Sequence, residues 1–475
     1  MARYHKRAIV WMRRALRVED NQALMHAFTA ADEIVPVLCL RPESRYMQDT
    51  PRRRFINGSI IALDEELRRR GSRLFIITGK PEEALPALAA RIGATLVTAV
   101  RVYDRPAAER DRLLARSLQS VGAVFEPVQD RVLLEGNDIL TQSGTPFKVF
   151  TPFRVAWFFR STRIHPVLPG VRTLTSPDRV EGAVCLSAAR CFLRVSTEGA
   201  GERAAQERLR RFLRSHIKQY HRQRDIPAAE GTSRLSAALA IGTISIRQVF
   251  HAVREARSRV APIERAGYEA FINELIWREF YYSILMNFPH VVDQSFREEF
   301  ASLRWSTNER HFSAWCQGQT GFPLVDAGMR QLQQEGWMHN RVRMIVASFL
   351  VKDLRINWQW GEGFFLERLC DADIASNNGG WQWSAGTGTD AAPWFRIFNP
   401  VLQGKRYDPE GEYVKRYVPE LRRVPARFIH SPERMPASLQ RDLNCLIGKH
   451  YPQPIVNHAE ASRTFKQWIS TSIKR

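Results

Sequence analysis

RFINGSIIALDEELRRRGSRLFIITGKPEEALPALAARIGATLVTAV, residues 54–100, alternates two amphipathic stretches with two short apolar runs. RFINGSIIALDEELRRRG and PEEALPALAARIG fit helices, while LFIIT (74–78) and TLVTAV (95–100) fit buried strands. Working outward, IVWM (9–12) and IVPVLCL (34–40) are two more such runs. Strands alternating with helical stretches predict an α/β domain with a parallel sheet over residues 1–130.

Residues 131–200 lose this periodicity, carry many Pro, Gly and Ser residues, and read as a long interdomain connector. From 201 to 475 strand signals mostly vanish. ERAAQERLRRFLRSHIKQY, YEAFINELIWREFYYSILMNF, LVDAGMRQLQQEG and NRVRMIVASFLVKDLRINW all fit helical periods, so this second domain is expected to be helical. Ten of the twelve tryptophans lie in it.

Composition narrows the partner. Seventy Lys and Arg against 49 Asp and Glu leave a net charge of +21, spread over both halves. Such an excess attracts a polyanion, and arginine suits bidentate phosphate contacts. Six scattered cysteines (Cys39, Cys185, Cys191, Cys316, Cys370, Cys445) form no Cys-x-x-Cys pair and predict reduced thiols with no zinc site. No run of about 18 apolar residues predicts a membrane span, and the basic N-terminus leads straight into a strand. The expectation is a cytoplasmic protein.

Familiar catalytic motifs fail. GTGTDA (386–391) matches G-x-G-x-x-[GA] formally but stands in a helical, tryptophan-rich region rather than after a strand. No phosphate-binding P-loop, His-Glu-x-x-His or Gly-x-Ser-x-Gly is present, and Asp371-Ala-Asp373 lacks the spacing of a calcium loop. Three patterns survive. Thr232 and Ser233 stand just before a helical stretch with Arg234, as a plain cap or a phosphate site. Glu274, Trp277, Arg278 and Tyr281 share one helix face, as do Asn340 and Met344 with Arg341 beside them. Trp381 and Trp383, like Trp358 and Trp360, are two apart and point to opposite sides of a helix. Aromatic rings with few acid–base groups suit a bound planar molecule.

These residues carry a resemblance to a known family. WMRRALRVEDNQAL (11–24), PAAEGTSRLSAAL (227–239), NELIWREFY (273–281), GWMHNRVRMIVASFLVKDL (336–354), DADIASNNGGWQWSAGTGTDAAPWFRIFNP (371–400) and HYPQPIVNHAEA (450–461) resemble, in order, the signatures of the photolyase/cryptochrome superfamily. The likeness is to class I enzymes that repair cyclobutane pyrimidine dimers. It implies a Rossmann-like parallel α/β domain followed by a large all-helical FAD-binding domain. By the resemblance, Tyr220 and Thr232, Ser233, Arg234, Leu235 and Ser236 hold the phosphates of FAD. Asp371, Ala372 and Asp373 lie along the rest of it, and Asn377 faces the flavin N5. Glu274, Trp277, Arg278, Tyr281, Asn340, Arg341, Met344 and Trp383 line the lesion pocket, with Glu274 bonding a pyrimidine. Arg224, Arg396 and Gln403 contact DNA, and Trp381, Trp358 and Trp305 relay electrons to the flavin. The implied partner is UV-damaged DNA, bound by a monomer that flips the lesion out of the duplex. Light-driven electron transfer from reduced FAD then opens the cyclobutane ring, and the cofactor supplies that chemistry.

The sequence departs from the family pattern in two places. Ala15 stands where an aspartate is usual. YDRPAA (103–108) and FPHVVD (288–293) lack the folate ligands of class I relatives, so a second, antenna chromophore is not assignable. His339, about 100° round the helix from Asn340, is expected outside the pocket. The rival reading is a cryptochrome-type blue-light receptor that binds FAD without repair. Asn377 and Glu274 favour the enzyme.

Overall fold

The structure, a computed structural model, describes residues 4–40, 49–186 and 199–473. Its packing forms two compact units, one of Met1–Phe147, Thr151–Lys218 and Ser233–Pro289, the other of Lys148–Phe150, Gln219–Thr232 and His290–Arg475. This division differs from boundaries at 130 and 200. Composition marks where strands give way to helices, whereas a compact unit depends on which faces bury each other.

The first unit holds a six-stranded sheet ordered β5-β4-β1-β2-β3-β6. Its strands are β1 (His5–Trp11), β2 (Ala31–Leu40), β3 (Phe75–Thr78), β4 (Leu96–Val100), β5 (Val124–Val128) and β6 (Val184–Cys185). The first five are parallel, and β6 runs antiparallel to β3. Alternate residues of β1 serve opposite cores: Ala8 and Val10 pack on one side, Ile9 and Trp11 on the other. Both faces are covered, which is why the central strands read as unbroken apolar runs. Helices α1 (Gln22–Ala30) and α2 (Pro51–Arg68) contribute to the first core, and α3 (Pro81–Ile92) and α4 (Arg105–Gln119) to the second. The four strands expected from sequence are all present. The fifth was not expected because VFEPV is half exposed and carries Glu126 and Pro127, as an edge strand can. The expected connector also contains a helix, Phe150–Arg160. The helices Gly201–Ser215, Ser236–Ile241, Ile246–Ser258 and Ala266–Asn287 also belong to this unit.

The second unit is helical, built on Pro323–Glu335, Asn340–Ser348, Trp358–Arg368, Ile374–Ala385 and Pro400–Tyr407 around a core that includes Trp315, Trp358 and Trp381. NRVRMIVASFLVKDLRINW is not one helix. After Ser348 comes a π turn, Phe349–Asp353; Arg355 then takes φ 55°, and Asn357 caps a new helix through Gln359 N–H. The break lets Ser306 N–H bond the Arg355 carbonyl at 2.8 Å.

Among the described residues no helix is long and apolar enough to cross a membrane, and no cluster of metal-ligating side chains occurs. Among the described residues, Cys39, Cys316, Cys370 and Cys445 form no disulfide; Cys191 and the side chain of Cys185 lie outside the described residues.

Candidate functional site

The helix Ile374–Ala385 carries several of the second unit's candidate residues. Asp373 caps it, accepting Ser376 N–H at 3.1 Å. Ala375, Asn378, Trp381, Gln382 and Ala385 are buried, while Asn377, Gly380 and Trp383 are partly open. Trp381 and Trp383 therefore face opposite ways, as their two-residue spacing predicts. A β-carbon at Gly380 would meet nothing within 4 Å, so space lies over that face between Asn377 and Trp383. Two amides are pinned by Glu362: Asn377 Nδ2 donates to its carbonyl at 3.1 Å and Asn378 Nδ2 to its carboxylate at 2.9 Å. Burial pushes the Glu362 carboxyl up to about 7, against the pull of the Asn378 amide. Gln382 adds three more bonds, from Nε2 to the Val291 and Gln294 carbonyls and from Phe296 N–H to its Oε1.

The buried side carries the tryptophans. Trp381 packs on Phe365 and Trp315, with ring centroids 5.0 and 6.1 Å away. Gly361, three residues past Trp358 on its helix, lies directly against the Trp381 ring: a β-carbon there would sit 2.1 Å from it. Trp358 and Trp381 share one core, and Trp305 packs against its edge and on Trp468 at 5.2 Å. The bridge Ser306↔Ile356 brings Trp305 beside the segment leading into Trp358. Trp381 and Trp358 are buried, and Trp305 is partly exposed.

Asp371 accepts from Arg343 Nη2 at 2.8 Å, while its other carboxylate oxygen is buried with no protein donor. Ala372 is buried beside it. A carboxylate acceptor without a donor fits a cofactor rich in hydroxyls, which is the chemistry of the chain linking flavin to adenine. Tyr220 is buried under the Arg224 guanidinium, 5.6 Å from its ring. Arg343 and Glu362 were missed from sequence, although Arg343 lies one turn after Asn340.

His339 is not on the helix at all: with ψ 136° it is the N-cap of Asn340–Ser348, and its Nδ1 accepts Arg341 N–H. The expectation that it lies outside the pocket rested on a helical rotation that does not apply. It is buried, whereas Asn340 is exposed and Met344 half-buried on the helix that follows. Arg341 pairs with Asp225 at 2.8 Å and lies 4.6 Å over the Tyr407 ring. Arg396 is exposed on a loop whose carbonyl accepts Lys352 Nζ at 2.8 Å. Gln403 is half-buried on Pro400–Tyr407.

In the first unit, Glu274, Trp277, Arg278 and Tyr281 are all partly exposed on Ala266–Asn287, between buried Leu275, Ile276, Glu279 and Phe280. The face read from the i, i+3, i+4, i+7 spacing is real. Trp277 and Tyr281 lie 5.6 Å apart. The capping expectation for EGTSRL fails. The helix begins at Ser236 behind Leu235, which has no side-chain cap; Ser233 Oγ instead takes Leu235 N–H, with Arg234 at φ 47°. Thr232 is half-buried at the end of a stretch of the second unit. Ala15 is buried against Gly242, where a β-carbon would meet Ala15 Cα at 2.7 Å.

The DNA photolyase family model matches residues 8–170, and that of the FAD binding domain of DNA photolyase matches residues 271–471. The chain is 38% identical over 463 residues to the deoxyribodipyrimidine photo-lyase of Agrobacterium fabrum, covering 95% of each protein. Its structure is similar to a bacterial class III photolyase from Agrobacterium tumefaciens, with TM-score 0.89, 36% identity and 100% and 99% of the two chains covered. It is also similar to a Synechocystis cryptochrome, at TM-score 0.88 and 29% identity over 98% and 100%. These likenesses do not separate the class I type expected from sequence from class III.

Proposed function

Because the chain belongs to the DNA photolyase family, we propose that it is a light-dependent lyase that splits cyclobutane pyrimidine dimers in UV-damaged DNA, with reduced FAD as cofactor. The observation that carries the reading is the two-sided helix Ile374–Ala385, with Asn377 and Trp383 on an open face and Trp381 in the core. When bound, FAD supplies an electron on illumination and takes it back.

The chain's own residues do the rest. Asn377 presents a neutral amide held by Glu362, which adds no charge beside a reduced flavin. The carboxylate of Asp371 accepts a cofactor hydroxyl. Tyr220 and the segment Thr232, Ser233, Arg234, Leu235 and Ser236 hold its phosphates. Glu274 accepts a hydrogen bond from a pyrimidine, and Trp277, Tyr281, Met344 and Trp383 supply apolar surface for a lesion taken out of the stack. Asn340 and Arg278 bond its polar edges. Arg341 stands with them in the lesion pocket, and Arg224, Arg396 and Gln403 contact the DNA. Trp381, Trp358 and Trp305 carry electrons inward to restore the reduced cofactor. We place this activity in a cytoplasmic monomer.

Illumination of the reduced protein with oligonucleotides carrying a cyclobutane dimer or a (6-4) photoproduct tests the reading, with restored bases counted by chromatography. Repair of the cyclobutane dimer alone is expected, because none of these lesion-facing side chains is a histidine able to donate a proton to a (6-4) product. No repair of the cyclobutane dimer would favour the cryptochrome-type receptor instead.

A further inference from the structure

Arg131 is buried and follows β5, far in sequence from the lesion-facing helix, yet within the first unit it is bonded to that helix by both side chain and main chain. Its Nη1 donates to the carbonyls of Ala240 and Leu239, at 2.8 and 3.3 Å. These are end carbonyls of Ser236–Ile241, which lack partners inside a helix, and a cation suits that end of the helix dipole. Its Nη2 donates to the Tyr282 hydroxyl at 2.5 Å. Its main-chain carbonyl accepts Arg278 Nη1 at 2.6 Å, while the Arg278 guanidinium lies 4.7 Å over the Tyr282 ring. Two residues on, Leu133 and Leu134 N–H both donate to Glu279, at 2.8 and 3.1 Å. The segment Arg131–Leu134 thus grips Ala266–Asn287 at residues 278, 279 and 282.

We propose that Arg131 is a positioning residue for lesion binding: it sets the orientation of Arg278, and of the helix carrying Glu274 and Trp277, relative to the Ser233–Ser236 segment. The proposal rests on the lesion-binding reading above. Only a planar guanidinium reaches a helix end and a tyrosine hydroxyl at once, since its N–H groups form a fixed fork. Buried and pointed at protein groups, Arg131 binds no phosphate itself.

The test uses full-length, FAD-loaded Arg131→Met and Tyr282→Phe, the second removing one hydroxyl while leaving the ring under Arg278. Affinity for an oligonucleotide with one cyclobutane dimer should fall about tenfold in Arg131→Met, the weight of one hydrogen bond to a charged group. KM should rise with it, while the splitting rate at saturating DNA and the FAD content stay at wild-type values. Tyr282→Phe should move KM in the same direction by a smaller factor. The slope of log affinity against log salt should not change, whereas losing a phosphate contact would lower it by about one. The proposal is overturned if KM is unchanged in either folded variant, or if the loss appears only in FAD content or melting temperature. Should Arg131→Met not fold, Tyr282→Phe decides alone. Wild-type protein in the same assay tests the photolyase reading separately: without base restoration that reading fails, whatever the variants do.

Discussion

Glu279→Gln removes an ionisation that the fold makes expensive. Glu279 is 2% exposed on the buried side of Ala266–Asn287, and desolvation pushes its carboxyl up to about 7. The nearby Arg278 charge, the Leu133 and Leu134 N–H groups and the Trp157 indole all pull the other way and do not win. Against an ordinary value of 4.5, the rise corresponds to about 3 kcal/mol at 1.36 kcal/mol per unit. For a carboxyl with a raised folded pKa, the folded state holds the proton more tightly than the unfolded state between 4.5 and 7. Stability therefore falls as pH rises through that window and stays at its lower level above it. The glutamine variant lacks this term, so its stability relative to wild type should climb by about 3 kcal/mol between pH 4.5 and 8. Glu202 and Glu362, also pushed to about 7 by burial, titrate in both proteins and cancel in the difference. Hydrogen exchange of peptides spanning 130–135 reads the opening free energy of this segment without requiring both units to unfold together. Parallel pH profiles for the two proteins would refute the reasoning, whatever constant offset separates them.

Trp381→Phe should abolish photoreduction of oxidised FAD by an external reductant, while protein reduced chemically beforehand still repairs; normal photoreduction would remove Trp381 from the relay. Gly361→Ala should destabilise by roughly 1–3 kcal/mol through overpacking, because its β-carbon would fall 2.1 Å from the Trp381 ring; an unchanged melting temperature would contradict that contact. Affinity for damaged DNA should fall steeply with salt, log affinity dropping by about 0.9 per phosphate neutralised for each decade of salt, as the +21 charge requires; titrations that coincide at low and moderate salt would exclude phosphate-driven binding.

Several features follow from local pattern alone. The runs 9–12, 34–40, 74–78 and 95–100 become strands because a parallel strand covered on both faces must be apolar throughout, and four such strands separated by amphipathic helices leave few alternatives. Glu274, Trp277, Arg278 and Tyr281 share a face because helical period depends only on neighbours in sequence, and the opposed Trp381 and Trp383 follow from the same geometry. Other features needed the chain to close on itself. The edge strand Val124–Val128 has no apolar signature because one of its sides is left unpaired. Leu235, not Thr232 or Ser233, precedes the helix at Ser236, because Arg234 adopts a left-handed backbone that no propensity foretells. Asp225 meets Arg341 across 116 residues, and Arg131 meets Arg278 and Tyr282 across 147 and 151. Periodicity extends only a few turns, so it names the residues of a face but not the partners that orient them. Those partners, and the pKa of a carboxyl such as Glu279, depend on burial and distance, which exist only once the chain has packed.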